Sequence, residues 1–501
     1  MNDSVVDCDV CILGAGIAGL NATFAVSRHL SAGDKVVLID RKPAPAGMWN
    51  TTYDYVRLHQ AHPMFTVGNI KWRNQPDPYH LATRKEVVDH LLYCFDQLSN
   101  RAKLEPYFGY TYLQHDDGPA TAPITVNCRR DSDGAQLRIR ARRLIKAFGY
   151  NVAPQEPLVL SSQQVVSLTP ESPELIRQIA EQGDAPIYVV GGGKTGMDTA
   201  HMLLRAFPKR KVRVLIGEGT LFLDRDKVTP GRLRRYYAGE TPLGVFLDVA
   251  KQFNGRNEQF VLGYLRQKYC VSLDESCRRY MFGLMSPREN DEIKRGLDQV
   301  IRDHLLDVVD EAGAPWLLLR SGERRPIEPG AAVVNCTGYI GAPREYEPYL
   351  SASGRVVSIQ PTSTVHFLST QSSYFLAHLL MLGKLADAPL YEVDIAALRD
   401  ASRDVFPPAA ITTTLYNSGV ILNRLPQWVI KENGLDLMAL FPLHRRLISA
   451  AKLIYFLRRH PDHLRGALDA VRERFQLRLG PLSHHPARAA STNLQPVLAG
   501  S

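Results

Sequence analysis

The chain has 501 residues, 45% of them hydrophobic and 22% charged, with a formal net charge of +9. That length exceeds one ordinary core, and the composition is that of a folded globular protein of two or three domains. No run of five like charges and no zinc-finger spacing occurs, and residues 391–501 hold 14 Lys/Arg against 9 Asp/Glu, so the excess reads as a solvated basic face rather than a nucleic-acid site.

The seven cysteines, Cys8, Cys11, Cys94, Cys128, Cys270, Cys277 and Cys336, are odd in number and scattered. That pattern leads us to expect reduced thiols and a cytoplasmic protein. Cys8 and Cys11 have C-x-x-C spacing, but both fall in a strand, where positions i and i+3 point to opposite faces and are not easily bridged. The N-terminal residues lack the basic and apolar stretches of a secretory signal. No uninterrupted apolar stretch reaches the roughly 20 residues needed to span a bilayer, so membrane contact is expected to be peripheral at most.

In chain order, the first motif is Val10-Cys11-Ile12-Leu13 leading into Gly14-Ala15-Gly16-Ile17-Ala18-Gly19. Residues 17–30 read as a helix, Gly33-Asp34 turns the chain, and 36–40 reads as a buried parallel strand ending in Asp40. In this strand–turn–helix setting, Gly14, Gly16 and Gly19 admit a pyrophosphate to the helix N-terminus. Asp40 lies 21 residues beyond Gly19, where a carboxylate accepts hydrogen bonds from a ribose. Gly47-Met48-Trp49 then opens an irregular stretch, 51–65, rich in aromatic residues and histidine. His59, His62 and His80 form no i,i+4 pair and have no acid cluster of ligand type beside them, so no metal site is expected.

Residues 83–98 read as an amphipathic helix, and 107–146 as a β-meander closed by Ala147-Phe148-Gly149-Tyr150. A linker at 150–167 and a helix at 170–182 lead to a strand at 186–190 and the second glycine turn, Gly191-Gly192-Gly193-Lys194-Thr195-Gly196, 177 residues after the first. A helix at 194–206 and a strand at 212–216 repeat the first unit, with Gly191, Gly193 and Gly196 at the turn and Lys194 and Thr195 expected over a pyrophosphate. The second strand ends in Gly217-Glu218-Gly219. Glu218 suits the free ribose of NADH, whereas Arg205, Lys209, Arg210 or Arg225 suits the 2′-phosphate of NADPH, and both readings stay open at this point.

Residues 227–310 read as mainly helical, and 316–320 and 331–335 as strands, the latter closed by Cys336-Thr337-Gly338-Tyr339 in an echo of the earlier Gly-Tyr junction. Thr370-Gln371-Ser372-Ser373 precedes an apolar helix at 374–385 and suits its N-cap. From about 391 the chain reads as helical. Residues 447–457 are apolar apart from Ser449 and Lys452, and Arg458-Arg459-His460 follows. We expect this helix to dock on the protein body rather than lie on a membrane surface, because its apolar face is too wide for an interfacial helix. Residues 480–501 are expected to form a disordered tail.

The first turn, Asp40, Gly47-Met48-Trp49, Tyr53-Asp54 with Leu58-His59, Gly196-Met197-Asp198 and Thr337-Gly338-Tyr339, in this order, resemble the flavin-containing monooxygenases, nearest to the auxin-synthesis (YUCCA-type) branch, over residues 7–385. The resemblance implies an α/β fold with two Rossmann-like dinucleotide-binding domains, and the mainly helical C-terminal region, read from the residues, lies outside it. An FAD domain at 1–165 and 331–390 is interrupted by an NAD(P) domain at 166–330, with its helical insertion at 227–310 and a helical extension at 391–501. It implies FAD on Gly14, Gly16, Gly19, Asp40, Arg41, Met48, Trp49, Gly338, Gln371 and Ser372. It also implies NADPH, with NADH kept open, on Gly191, Gly193, Lys194, Thr195 and Gly196. His59 and Gln60 then fall near the flavin C4a as the catalytic candidates. Departures are plain too. Ala46-Gly47-Met48-Trp49 replaces G-G-x-W, Val165-Val166-Ser167-Leu168 stands in place of F-x-G-x-x-x-H, and no arginine follows Ile216.

Two dinucleotides in one chain imply hydride transfer from nicotinamide to the flavin N5. With no paired cysteines to take the electrons, dioxygen is the expected acceptor, and a C4a-hydroperoxide would oxygenate nitrogen or sulfur or attack a carbonyl carbon. The expected substrate is a small molecule that enters between the two domains and the 227–310 insertion. Two other readings stand beside this one: an oxidoreductase passing electrons to a quinone or protein, and a non-enzymatic FAD-binding protein whose basic tail recruits partners.

Overall fold

In the computed structural model, which describes residues 4–73, 77–119, 121–149, 154–338, 345–435 and 437–482, two sheets built on parallel strands each lead into one glycine turn. The first has seven strands. Ser4–Leu13 lies at its centre, parallel to Lys35–Asp40 on one side and to Gln136–Lys146 on the other. Lys103–Phe108 extends the first side, and Ile124–Arg130 and Tyr110–Asp116 extend the second as an antiparallel meander. Val356–Ser358 adds a further parallel strand to Gln136–Lys146. The burial explains the sequence patterns. Val10 to Leu13 and Val36 to Ile39 are buried on both faces, which demands continuous apolar runs. The outer part of Gln136–Lys146 alternates exposed and buried residues, as a half-solvated strand must. Thr83 caps the helix Arg84–Ser99, accepting from the Glu86 N–H while the Glu86 carboxylate accepts from the Thr83 N–H, an exchange that contributes about 1 kcal/mol.

The second sheet has five strands, all parallel, in the order Gln299–Ile301, Val212–Leu215, Ile187–Val190, Ala332–Asn335 and Val166–Leu168. Three of these correct the sequence reading. Ala332–Asn335, expected with the first domain from residue 331, places Val333 opposite Tyr188, and the chain re-enters the first sheet at Val356–Ser358. Val166–Leu168 was expected in the linker and Gln299–Ile301 in a helical segment. A three- or four-residue apolar strand carries no local mark of which sheet it joins, so tertiary pairing decides. The 227–310 region likewise holds the strand Arg279–Met285, which pairs in parallel with Thr220–Asp224. The apolar helix near 374 begins earlier, as Ser369–Met381, with Leu368 at the N-cap. Tyr150 and Tyr339, the two ends of the echoed junction, lie outside the described residues.

The C-terminal region is mainly helical, with Ile395–Ala401, Phe406–Leu422, Gln427–Lys431, Leu443–Arg459 and His463–Phe475. Its two ends meet, because Tyr391–Val393 pairs antiparallel with Leu479–Pro481. Residues 480 and 481, expected in the tail, therefore lie in a strand, and 483–501 fall outside the described residues. This region is no appendage. Phe406, Ala409, Ile411 and Leu415 share a core with the second sheet, whereas Ile421, Leu425 and Val429 pack into the core of the first. Pro407 and Pro408 start the helix Phe406–Leu422, where their missing N–H groups cost nothing. Asn417, fully buried on it, donates to the Val365 and Tyr391 carbonyls and accepts from the Tyr391 N–H at 2.8 Å.

Candidate active site

The first glycine turn sits where the central strand Ser4–Leu13 ends between its two parallel neighbours, the crevice in which doubly wound sheets bind ligands. Gly14 has φ +102°, and a Cβ there would lie 2.6 Å from the Ala147 carbonyl oxygen. A Cβ at Gly19 would fall 1.6 Å from the Gly14 oxygen. Only glycine allows this approach of helix to strand. Gly16 faces the cavity, with the nearest obstacle to a Cβ the Gly47 Cα at 3.6 Å. The first N–H groups of the helix Ile17–Ser27 have no carbonyl of their own helix to bond, and they offer donors to a phosphate. Asp40 braces the turn. Its Oδ2 accepts from the Ala15 N–H at 2.6 Å and its Oδ1 from the Lys42 N–H at 2.8 Å. The turn thus fits an FAD pyrophosphate, with Asp40 at the cavity wall.

That wall belongs to one cavity of about 1020 Å³, at the upper end for small-molecule sites. Gly14, Gly16, Asp40, Arg41, Met48 and Trp49 line it, as do His59 and Gln60. Trp49 meets Phe65 edge-on, with centroids 5.6 Å apart. Beyond these the cavity is walled by aromatic rings from distant parts of the chain. Phe367 stacks on Phe282 at 4.6 Å and meets Phe246 at 5.5 Å, and Phe406 meets Phe282 edge-on at 5.6 Å. Tyr280 and Met281 complete this chamber. Sequence reasoning missed it entirely, because its rings come from positions between 246 and 406 that share no spacing.

The second turn repeats the backbone and departs in its charges. Gly191 has φ +128°, with a Cβ there 2.6 Å from the Cys336 oxygen, and Gly193 has open space around it. Lys194, however, is held by carboxylates. Its Nζ pairs with Asp198 and with Glu289, the latter at 2.9 Å, and Glu289 also pairs with Arg225 at 2.6 Å. Burial opposes the Lys194 charge, but Asp198 and Glu289 more than offset it and hold its pKa above the ordinary value. Burial raises the Asp198 pKa, only partly countered by Lys194. Glu289 is half-buried, yet Lys194 and Arg225 hold it down to about 2. Tyr53 donates to Asp198 at 3.0 Å. Of the five residues expected on the second dinucleotide, Thr195 alone lines the cavity.

His59 is tied to the same cluster. Arg225 donates to its carbonyl at 2.9 Å, and its Nδ1 accepts from the Leu284 N–H at 3.4 Å. Burial, with Lys194 and Arg225 nearby, pulls its pKa down to about 3. The ring is neutral at ordinary pH, and because Nδ1 accepts, Nε2 carries the proton. The Gln60 Oε1 is buried with no hydrogen-bond partner among the described residues.

Other expected residues lie elsewhere. Gln371 donates to the Leu435 carbonyl at 2.9 Å and Ser372 to the His366 carbonyl at 3.0 Å, so both side chains serve packing, while Ser369 and Thr370 face the cavity at the helix start. Gly338 follows a strand of the second sheet and accepts from Gln155 at 3.2 Å, whereas Gly149 lines the cavity. Glu218 forms a bidentate pair with Arg279, with one contact at 2.6 Å. Arg210 donates to the Ala185 and Ile179 carbonyls, and Arg205 pairs with Glu292 at 3.3 Å. The seven cysteines are all free thiols.

Comparison with known proteins gives a coherent picture. Residues 8–230 match the profile of the pyridine nucleotide-disulphide oxidoreductase family. Uncharacterized proteins of Mycobacterium tuberculosis and Mycobacterium bovis are 26% identical over 376 residues, 69% of this chain and 63% of theirs. The match thus spans less than two thirds of those relatives. Among solved structures, an oxidized steroid monooxygenase bound to NADP superposes with a TM-score of 0.51 at 12% identity, over 83% of this chain and 98% of that one. A flavin-containing monooxygenase from Stenotrophomonas maltophilia gives a TM-score of 0.46 at 13% identity, over 75% and 99%. The likeness to the steroid monooxygenase structure is one of fold.

Proposed function

We propose that this chain is an FAD-dependent NAD(P)H monooxygenase whose substrate is uncharged and apolar. The observation that carries the reading is the single cavity in which the first glycine turn and the aromatic chamber share one space. FAD bound at the first turn supplies hydride acceptance and dioxygen activation. The chain's own residues supply the setting. The N–H groups at the start of Ile17–Ser27 bind phosphate oxygens, and Asp40 fixes the turn that aims them. His59 offers a hydrogen bond from Nε2 without acting as an acid, since its ring stays neutral. Phe246, Phe282, Phe367 and Phe406 orient an apolar substrate by ring contacts and exclude water from the reacting end. NADPH is the proposed donor at the second turn, where Gly193 leaves room for a pyrophosphate.

The test begins with anaerobic mixing of the flavoprotein with NADPH and, separately, NADH. Bleaching of the flavin is expected with NADPH, and Gly193→Val should slow it at least about tenfold while the bound flavin is retained, because two methyl groups then occupy the approach to the helix N-terminus. Turnover under isotopically labelled O2 with a panel of neutral aromatic and alicyclic substrates should place label in product. Stoichiometric peroxide with no label incorporated, or electrons delivered to a quinone at full rate without O2, would overturn the monooxygenase reading.

A further inference from the structure

The helix Leu443–Arg459 packs on the body through Ser449, Leu453 and Phe456. Its outer half is apolar as well. Leu443 (67% exposed), Leu447, Ile448, Ile454 and Tyr455 (66%) stand in solvent. At 100° per residue these five fall within one arc of about 140° along a length of roughly 20 Å. The wide apolar face read from the sequence is therefore split between the protein core and the outside. The helix docks on the body as expected, and it also leaves an apolar stripe outside.

A second element continues the same surface. The short helical turn Arg232–Tyr236 and the residue after it expose Leu233, Tyr236 and Tyr237. It is tied to the helix by Arg445, which donates to the Ala238 and Gly239 carbonyls, and by Tyr236, whose ring stacks on His444 at 6.4 Å. Eight large apolar side chains thus share one side of the molecule, more than the scattered exposure normal for a soluble surface.

The charges on the two segments themselves are all cationic, with Glu240, Asp436 and Asp462 just outside them. Residues 228–239 carry Arg232, Arg234 and Arg235, residues 437–461 carry Arg445, Arg446, Lys452, Arg458 and Arg459, and neither segment contains an acid. Lys452 lies 4.0 Å from Glu240, which follows the first of these segments. An apolar stripe with tyrosines, edged by arginine and lysine, has the makeup of an element that lies in the plane of a bilayer surface. No helix among the described residues is long and apolar enough to cross a membrane.

We propose that this face docks the protein on the surface of a bilayer containing anionic lipid, the leucine and isoleucine side chains entering the headgroup boundary and the arginines meeting lipid phosphates. The partner's charge is set by the cationic rim, and its apolar depth by the exposed stripe. The face also adjoins the cavity. Val228 and Thr229 line the cavity wall, and the chain reaches Arg232 after Pro230 and Gly231. An apolar compound dissolved in the bilayer would then need to travel only a short distance to the chamber.

Co-sedimentation of the full-length flavoprotein with vesicles tests this. The protein should pellet with phosphatidylcholine vesicles that include phosphatidylglycerol, and bind pure phosphatidylcholine at least about tenfold more weakly, with the difference shrinking as salt is raised. Leu447→Glu combined with Ile454→Glu should weaken binding about tenfold or more, and Arg458→Glu with Arg459→Glu should do so for anionic vesicles only. All four side chains are exposed or at the exposed edge, so flavin content and melting temperature should be unchanged. Failure to bind either vesicle, or equal binding by the Leu447/Ile454 variant, would overturn the proposal. So would a dimer in sedimentation velocity that this variant dissociates, since a second copy would then be what covers the face. None of these readouts depends on the enzyme turning over.

Discussion

The two glycine turns have the same backbone and opposite surroundings. At the first, the helix N-terminus opens into the large cavity, and the nearby acid, Asp40, spends both oxygens on backbone N–H groups that hold the turn in shape. At the second, the side chains over the helix N-terminus have closed on one another, Lys194 and Arg225 pairing with Asp198 and Glu289. A motif therefore reports a backbone path, and the charges that the path is surrounded by decide how a dinucleotide meets it. The first turn presents bare donors. The second presents a cluster whose ion pairs must rearrange before Lys194 can reach a phosphate, a cost absent from the first.

The strongest way to break this comparison is to block both approaches. Gly14→Val should yield protein without flavin, since its side chain meets the Ala147 oxygen and the backbone is at φ +102°. Gly193→Val, in open space, should leave flavin content intact. Absorbance at the flavin band after purification reads both, and a yellow Gly14→Val protein would refute the assignment of the first turn.

Next in size is Glu289→Gln. Removing the shared partner leaves Lys194 with Asp198 alone and takes from Arg225 the carboxylate it pairs with, and we expect a loss of roughly 3 kcal/mol in unfolding free energy. The sign with pH follows from its depressed pKa. The stabilisation is present above the ordinary carboxylate range and is lost as pH falls toward about 2, so acid denaturation curves of wild type and variant should converge at low pH. Curves that stay parallel would show that the cluster is not held by charge.

A smaller effect is expected at Asp40→Asn. One of the two backbone donors loses its acceptor, which costs about 1–2 kcal/mol and loosens flavin roughly tenfold, as equilibrium dialysis would show. The smallest effect at neutral pH belongs to His59→Gln. The native ring stays neutral down to about pH 3, whereas an unfolded histidine protonates near its ordinary value. Stability should therefore fall as pH drops from about 6.5 toward 3, and the variant should flatten that slope. Flavin reduction rates should show no inflection near pH 6.5 in either protein, and an inflection lost in His59→Gln would contradict a neutral ring.

Much of the first unit was legible in the sequence because its signals are local. Glycines at fixed offsets, an apolar strand and a terminal acid all lie within one short stretch, and the amphipathic helix at 83–98 is equally a matter of short-range spacing. What failed was tertiary. The sheet that Ala332–Asn335 joins depends on a partner 145 residues away (Val333 against Tyr188). Lys194 has a partner at Glu289 on a separate helix, and Gln371 turns toward Leu435 rather than toward the cavity. The aromatic chamber has no sequence signature at all, since its rings converge only after the C-terminal helices pack.

The helix Phe406–Leu422 carries a consequence for how the molecule comes apart. Because its two ends are embedded in the two main cores, neither dinucleotide unit can melt without tearing hydrophobic surface from the other. Heat should therefore produce one calorimetric peak despite the length of the chain, with equal calorimetric and van't Hoff enthalpies. A protease would gain little by nicking a hinge between the units, because the strut outlives the cut. Evolution of either half is bound by the same strut: an insertion that rotates one sheet must be absorbed by the helix or paid for by both cores.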